Sequence, residues 1–327
     1  MVKTRFTEMF ELDHPIMSAP MALHSGGSLA AAVSAAGGLG SFGGIHPARG
    51  PEWIEAEILR IHGKTDRPFG VGFITAFLPM FGVLLDATLA ARPQVVAFSF
   101  GDPAPYVAQA KDVGATVMCQ VQNLTDAQIA VDAGADILVA QGTEAGGHTG
   151  TRGLLPLLGA VLDRYPDLPV LAAGGISDGR SLAAVLAAGA DGAWVGTAFL
   201  ATDEAVEVHD IHKQLIVASD GDDTVWTRVY DIASGLPWPE GVGERVRRNA
   251  HVDRWTGRES ELQPVPRPEG APVENPFAKP PDPATDAVLY GQGAHAVTAV
   301  RPAAEVLRSI SGDAEALLRD RGRALLG

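Results

Sequence analysis

Eight short apolar runs recur along this chain, each followed by a plausible helix, and that recurrence limits the folds open to it. They read 15–20, 39–44, 69–74, 95–100, 116–121, 137–142, 170–175 and 192–197, with starts 24, 30, 26, 21, 21, 33 and 22 residues apart. Each interval fits one strand, one loop and one helix. The intervening segments look helical where they are clearest. Ser28–Ala36 is alanine-rich and ends at Gly37-Gly38, and Glu52–His62 carries Ile54, Ile58 and Ile61 on one face before Gly63. Asp126–Ala133 follows Thr125, a candidate N-cap, and stops at Gly134, while Ser181–Ala188 stops at Gly189. Eight parallel βα units predict an α/β fold, a (β/α)8 TIM barrel. The alternative is a doubly wound open sheet. It is disfavoured because no Gly-x-Gly-x-x-Gly follows the first strand; the turn there reads Ala-Pro-Met-Ala-Leu-His-Ser-Gly-Gly.

After Leu200 the texture changes. Residues 203–218 look helical, whereas 235–283 are rich in proline, glycine and charge with little periodicity. The expected division is a barrel of 1–202 and 286–327 with a lid-like appendage, 203–285, partly helical and partly extended, over the mouth. Pro-rich 264–283 would wrap the surface in extended form. A last helix, about Pro302–Leu326, would return to the barrel exterior.

The formal charge of −14 and pI near 5.0 argue against a nucleic-acid partner. The first residues lack a signal peptide's apolar core and no eighteen-residue apolar run suggests a membrane span, so a soluble cytoplasmic protein is expected. Cys119, the single cysteine, sits in an apolar run and reads as a small core residue.

Residues 137–150, Ile-Leu-Val-Ala-Gln-Gly-Thr-Glu-Ala-Gly-Gly-His-Thr-Gly, carry most of the functional signal. A buried-strand pattern turns abruptly glycine-rich, and His148 sits in that loop, able to face a pocket and titrate near neutral pH. The plain alternative is a solvated loop histidine. A barrel holds phosphate after strands seven and eight. The seventh run ends in Ala-Ala-Gly-Gly-Ile-Ser-Asp-Gly and the eighth in Val-Gly-Thr-Ala-Phe. Backbone N–H groups of Ala173, Gly174, Gly175, Gly196 and Thr197 can converge on one phosphate, helped by a following helix N-terminus. One phosphate site is visible and no adenylate site is. His24 and His46 follow the first two strands and either can face the mouth. His209 and His212 lack a third metal ligand, so no metal is expected and a solvated helix face is the reading.

The Gln-Gly-x-Glu-Ala-Gly-Gly-His-x-Gly run resembles the nitronate monooxygenase (2-nitropropane dioxygenase) family of FMN enzymes, and flavin-dependent enoyl-ACP reductases share much of it. The resemblance extends to Pro-Ile-Met-Ser-Ala-Pro-Met-Ala near the start and to the Ala-Ala-Gly-Gly and Gly-Thr-Ala-Phe turns. It implies flavin contacts from Pro20, Met21 and Ala22 in the first βα turn and from Gln141, Gly146 and Gly147. Gln120 takes the place of a polar or basic residue near the flavin pyrimidine. Many members have asparagine on the third strand where this chain has Gly72. The implied activity is FMN-dependent oxidation of alkyl nitronates with O2 to a carbonyl compound and nitrite, with His148 as catalytic base. A second reading is an NAD(P)H-dependent flavin reductase of a quinone or enoyl thioester, and a third is a non-enzymatic flavin-binding protein. Either enzyme takes a small-molecule substrate, with O2 or NAD(P)H as co-substrate. Homo-oligomerisation is left open.

Overall fold

The computed structural model describes residues 2–265 and 275–326. In chain order the strands are β1 (Ile16–Ser18), β2 (Gly40–Gly43), β3 (Phe69–Ile74), β4 (Val95–Ser99), β5 (Thr116–Val121), β6 (Ile137–Gln141), β7 (Gly147–Thr149), β8 (Val170–Ala173), β9 (Gly192–Val195), β10 (Thr224–Thr227) and β11 (Gly243–Arg247). Eight of them pair in parallel in the order β1-β9-β8-β6-β5-β4-β3-β2. A parallel bridge between Met17 and Leu39 brings the two ends of that sheet together. Helices lie between consecutive strands, so the fold is the expected (β/α)8 barrel.

Alternation along a strand sorts the core into two layers. On β4, Val95 and Ala97 join the inner cluster with Met118, Ile137, Val139 and Leu171, while Val96 and Phe98 face the helices. Phe6 and Phe10, from the helix Arg5–Met9 and the residue after it, join that inner cluster; a Cβ on Gly192, at the start of β9, would touch Phe6. Full burial of such a side chain contributes roughly 1.5–3 kcal/mol. Cys119 belongs to the outer layer, and burial pushes its thiol up to about 12, which fits a packing role.

Helix ends follow the expected signals with one shift. The helix Leu124–Ala133 is capped by Asn123, whose side chain accepts from Asp126 N, and Thr125 lies inside the first turn. It stops at Gly134, where φ is +96°. The final helix, Ala303–Leu326, lies on Gly179–Ala187: a Cβ on Gly179 would collide with Asp313 and Ala314.

Beyond Leu200 the segment is partly helical and partly extended, with a shorter first helix than expected. Only Asp210–Val217 of 203–218 is helical. The aperiodic stretch contains β11 and a helix, Ala250–Trp255, capped by Asn249. β11 pairs antiparallel with β10 on one side and with β7 on the other. Of the Pro-rich 264–283 stretch, 266–274 lie outside the described residues. No described helix is long and apolar enough to cross a membrane.

Candidate active site

One cavity opens at the C-terminal ends of the barrel strands. It is lined by His148, by Pro20, Met21 and Ala22, by Gly72, Gln120 and Gln141, by Gly146 and Gly147, and by Ala173, Gly174, Gly175, Gly196 and Thr197. His148 and all the residues expected to contact the flavin therefore line the same space, whereas Cys119, His46, His209 and His212 do not.

The wall after β8 and β9 is backbone. Gly174 and Gly175 have φ of +107° and +69°, conformations that a side chain would strain. Among the described residues, the N–H groups of Gly174, Gly175, Gly196 and Thr197 donate to no protein acceptor. The Thr197 hydroxyl accepts from Gly291 N at 2.9 Å, which ties the returning C-terminal segment to this wall. The following helix, Gly179–Ala187, adds less than expected, because the Asp178 carboxylate already caps its N-terminus by accepting from Ser181 N.

The glycine-rich motif divides its work. Glu144 reaches away from the cavity and accepts from Leu154 N at 3.0 Å, capping the helix Leu154–Arg164. Gly146 is a glycine because the backbone of Tyr290 and Gly291 packs where a Cβ would stand. Gln141 donates to the His148 carbonyl at 3.0 Å and accepts from Gln122 at 2.9 Å. One amide hydrogen and one lone pair are left for the cavity. Gly72 also has a packing reason, since a Cβ there would enter the Pro20 ring.

His148 is on a strand, not a loop. β7 exists because β11 supplies its hydrogen-bonding edge, and Glu244 is the cross-strand partner of His148. Nε2 of His148 lies 2.8 Å from Asp231 Oδ1. An ionised carboxylate can only accept, so Nε2 carries the proton and Nδ1 holds the free lone pair. Trp238 stacks on the imidazole with ring centroids 3.4 Å apart and planes 13° apart. Phe100 sets its edge towards both rings, at 6.3 Å and 5.6 Å, and holds a φ of +61°, uncommon for a bulky residue.

Sequence reasoning missed Asp231, Trp238, Phe100 and Glu244. The Pro237-Trp238-Pro239 triplet was the one local signal, an aromatic side chain in an otherwise polar stretch. The histidines His24, His46 and His212 are buried. His24 lines the cavity, and burial with His212 nearby lowers it to about 3, so it is a neutral wall. His46 is buried against Trp53 and lowered to about 4, mainly by burial. His212 does not face water: it is 3% exposed and bonded to the Leu289 carbonyl. Among the described residues no group of three ligating side chains is placed to hold a metal.

A parallel barrel with a cavity at the C-terminal ends of its strands, lined by unpartnered backbone N–H groups and a carboxylate-backed histidine, defines a class, the (β/α)8 barrel enzymes. Within that class the chain belongs to the nitronate monooxygenase family, whose profile matches residues 3–79 and 74–312. It is an oxidoreductase of a flavin-dependent family. A nitronate monooxygenase of Pseudomonas aeruginosa is 35% identical over 251 residues, 62% of this chain and 70% of that one. The (3aS,4S,5R,7aS)-5-hydroxy-7a-methyl-1-oxo-octahydro-1H-indene-4-carboxyl-CoA dehydrogenase of Mycobacterium tuberculosis is 31% identical over 255 residues, 77% of this chain and 68% of that one. The structure of FabK from Thermotoga maritima superposes with a TM-score of 0.83 at 30% identity, covering 99% of this chain and all of that one.

Proposed function

We propose that the protein is an FMN-dependent oxidoreductase that oxidises nitroalkane-derived substrates, with His148 as the base that takes a proton from the reacting carbon. The observation that carries this reading is the His148–Asp231 pair over a cavity walled by unpartnered N–H groups. Those groups fit the phosphate of a flavin mononucleotide: Gly174, Gly175, Gly196 and Thr197 would hold it, while Pro20, Met21, Ala22 and Gln120 would face the ring system. Bound there, the flavin supplies the electron chemistry. The protein's part is to place the substrate carbon and move its proton.

Asp231 fixes the ring tautomer and stabilises the imidazolium that forms when Nδ1 takes the proton. Trp238 holds the ring plane and keeps water from one face of it. A nitronate arrives already ionised and needs less from His148 than a neutral nitroalkane does. Residues 203–285 act as a lid in this reading, because Asp231, Trp238 and Glu244 all belong to them. Bound FMN and substrate should slow proteolysis between 235 and 265; cleavage at one rate with and without ligand would reduce the segment to surface wrapping.

One observation favours a second reading, reduction of an enoyl thioester by NAD(P)H. A second cavity, of about 320 Å³, adjoins the first and shares Phe100 and Gln120 with it. A nitroalkane has no use for that room; a longer acyl chain does. Anaerobic mixing of the oxidised protein with NADH, NADPH and a nitronate separately decides between them. Bleaching by nitronate alone supports the first reading, and bleaching by a nicotinamide alone replaces it with the second.

A further inference from the structure

Behind His148 lies a second carboxylate. Asp231 gives one oxygen to the imidazole, while its other oxygen, Oδ2, is buried and meets no partner among the described residues. Glu244 is in a similar state, 3% exposed with Oε1 buried and unpartnered. As the cross-strand partner of His148, Glu244 projects from the same face of the sheet. Two buried carboxylates therefore flank one ring.

Among the described residues neither carboxylate pairs with a lysine or arginine, and His148 is the one ionisable partner of Asp231. Arg245 alternates to the opposite face and donates to the Thr143 carbonyl and the Thr224 hydroxyl. Arg228 forms no ion pair among the described residues, and its Nε is itself unpartnered. The Tyr230 hydroxyl donates to the Thr285 carbonyl and accepts from the Asn249 amide. Two buried negative charges without a cation are costly, and the usual resolution is to keep one proton between them. Burial, and then the Asp231 charge, hold Glu244 well above the ordinary carboxylate range. The two orphaned oxygens, Asp231 Oδ2 and Glu244 Oε1, would both be satisfied by one proton lying between them.

We propose that Glu244 is a positioning residue that stays protonated and donates its O–H to Asp231, so that one proton is shared behind the His148–Asp231 pair. The proposal rests on the reading of His148 as the base. Its consequence is that Asp231 presents a single fixed oxygen to Nε2 and one negative charge, not two, beside the imidazolium. A base so arranged can take a proton from carbon and give it up again. With both carboxylates ionised the imidazolium would be held too firmly to turn over.

The first test needs neither substrate nor turnover. Infrared spectra at neutral pH should show the carbonyl stretch of a protonated carboxylic acid, shifted in D2O and lost in Glu244→Gln. A Glu244→Gln spectrum identical to the wild type would overturn the proposal. If Glu244→Gln does not fold, Asp231→Asn in the presence of Glu244 serves instead: loss of the charged acceptor should move that band, and an unmoved band rules out sharing. In turnover, Glu244→Ala should lose about tenfold or more, the effect of an unsatisfied buried carboxylate. Glu244→Gln, which still donates to Asp231, should recover most of that loss. It should also lack the alkaline fall that the wild type shows as Glu244 gives up its proton; an alkaline limb retained in Glu244→Gln would contradict the proposal. An infrared band that behaves as described, with His148→Asn equally damaging on ionised and neutral substrates, would sink the base and leave the shared proton standing.

Discussion

One wall of the cavity is backbone and the other is side chain. Against β8 and β9, Gly174, Gly175, Gly196 and Thr197 present N–H groups fixed by a parallel ladder. His148 and Trp238 line the same cavity with Asp231 and Glu244 behind them, and the pairing of β11 with β7 brings Glu244 alongside His148. The difference predicts two kinds of failure. The backbone wall should tolerate an added methyl wherever space and φ permit, and fail when a charge of the wrong sign is added. The side-chain wall should fail by chemistry, one group at a time, with the ligand still bound.

The largest effect expected is at Gly196. Its φ is −109°, open to any residue, and a Cβ there would make ordinary contacts, 3.5 Å from the Met21 sulfur and 3.7 Å from Ala19. Glycine is therefore not needed for conformation, and Gly196→Ala should purify with FMN. Gly196→Asp should purify folded and colourless, because a carboxylate would face the phosphate at close range. Flavin absorbance and circular dichroism of the two variants together decide this. Full flavin in Gly196→Asp would mean that the phosphate lies elsewhere.

On the opposite wall, His148→Asn should retain FMN and lose about 10²–10⁴-fold with a neutral nitroalkane, the usual contribution of a positioned base. The loss with the corresponding nitronate should be much smaller. The pH profile for the neutral substrate should also lose its rising limb near the histidine range. Equal losses on both substrates would make His148 a positioning group.

Asp231→Asn should fall less, by roughly tenfold, since it removes the charge beside the imidazolium and keeps a hydrogen-bonding group. Its loss should also depend on whether the substrate arrives ionised. A variant that loses flavin instead would show that the two walls are not independent.

The smallest effect is on stability. The folded protein holds Glu244 above its unfolded value of about 4.5. The native state therefore binds more protons than the unfolded chain above that pH, and stability falls as pH rises through the interval between the two values. The full contribution is present below about 4.5 and is lost as the folded group titrates. Glu244→Gln removes this slope, at most about 1.4 kcal/mol per pH unit. Urea unfolding at pH 5 and pH 8 should show the variant gaining on the wild type as pH rises; parallel behaviour would mean that Glu244 is already ionised in the native protein.

The backbone wall is what sequence reasoning could reach. Strand and helix periods, the glycine stop at Gly134, the paired glycines at 174–175 and the turn at 196–197 all act within a few residues of themselves. A βα repeat places the ends of its last strands together whatever lies between them. His148 was visible for the same reason, as a titratable group just past a buried strand. What it touches was not. Asp231 lies 83 positions further along the chain, in a stretch with no hydrophobic period to announce strand or helix. β7 is a three-residue strand whose edge is satisfied only by β11, so nothing local marks it as one. Glu244 reads as an ordinary surface charge until burial removes its water. The chain's local periods determined the barrel and its cradle. The partners of the histidine depend on which distant segments fold over the mouth, and only the tertiary structure decides that.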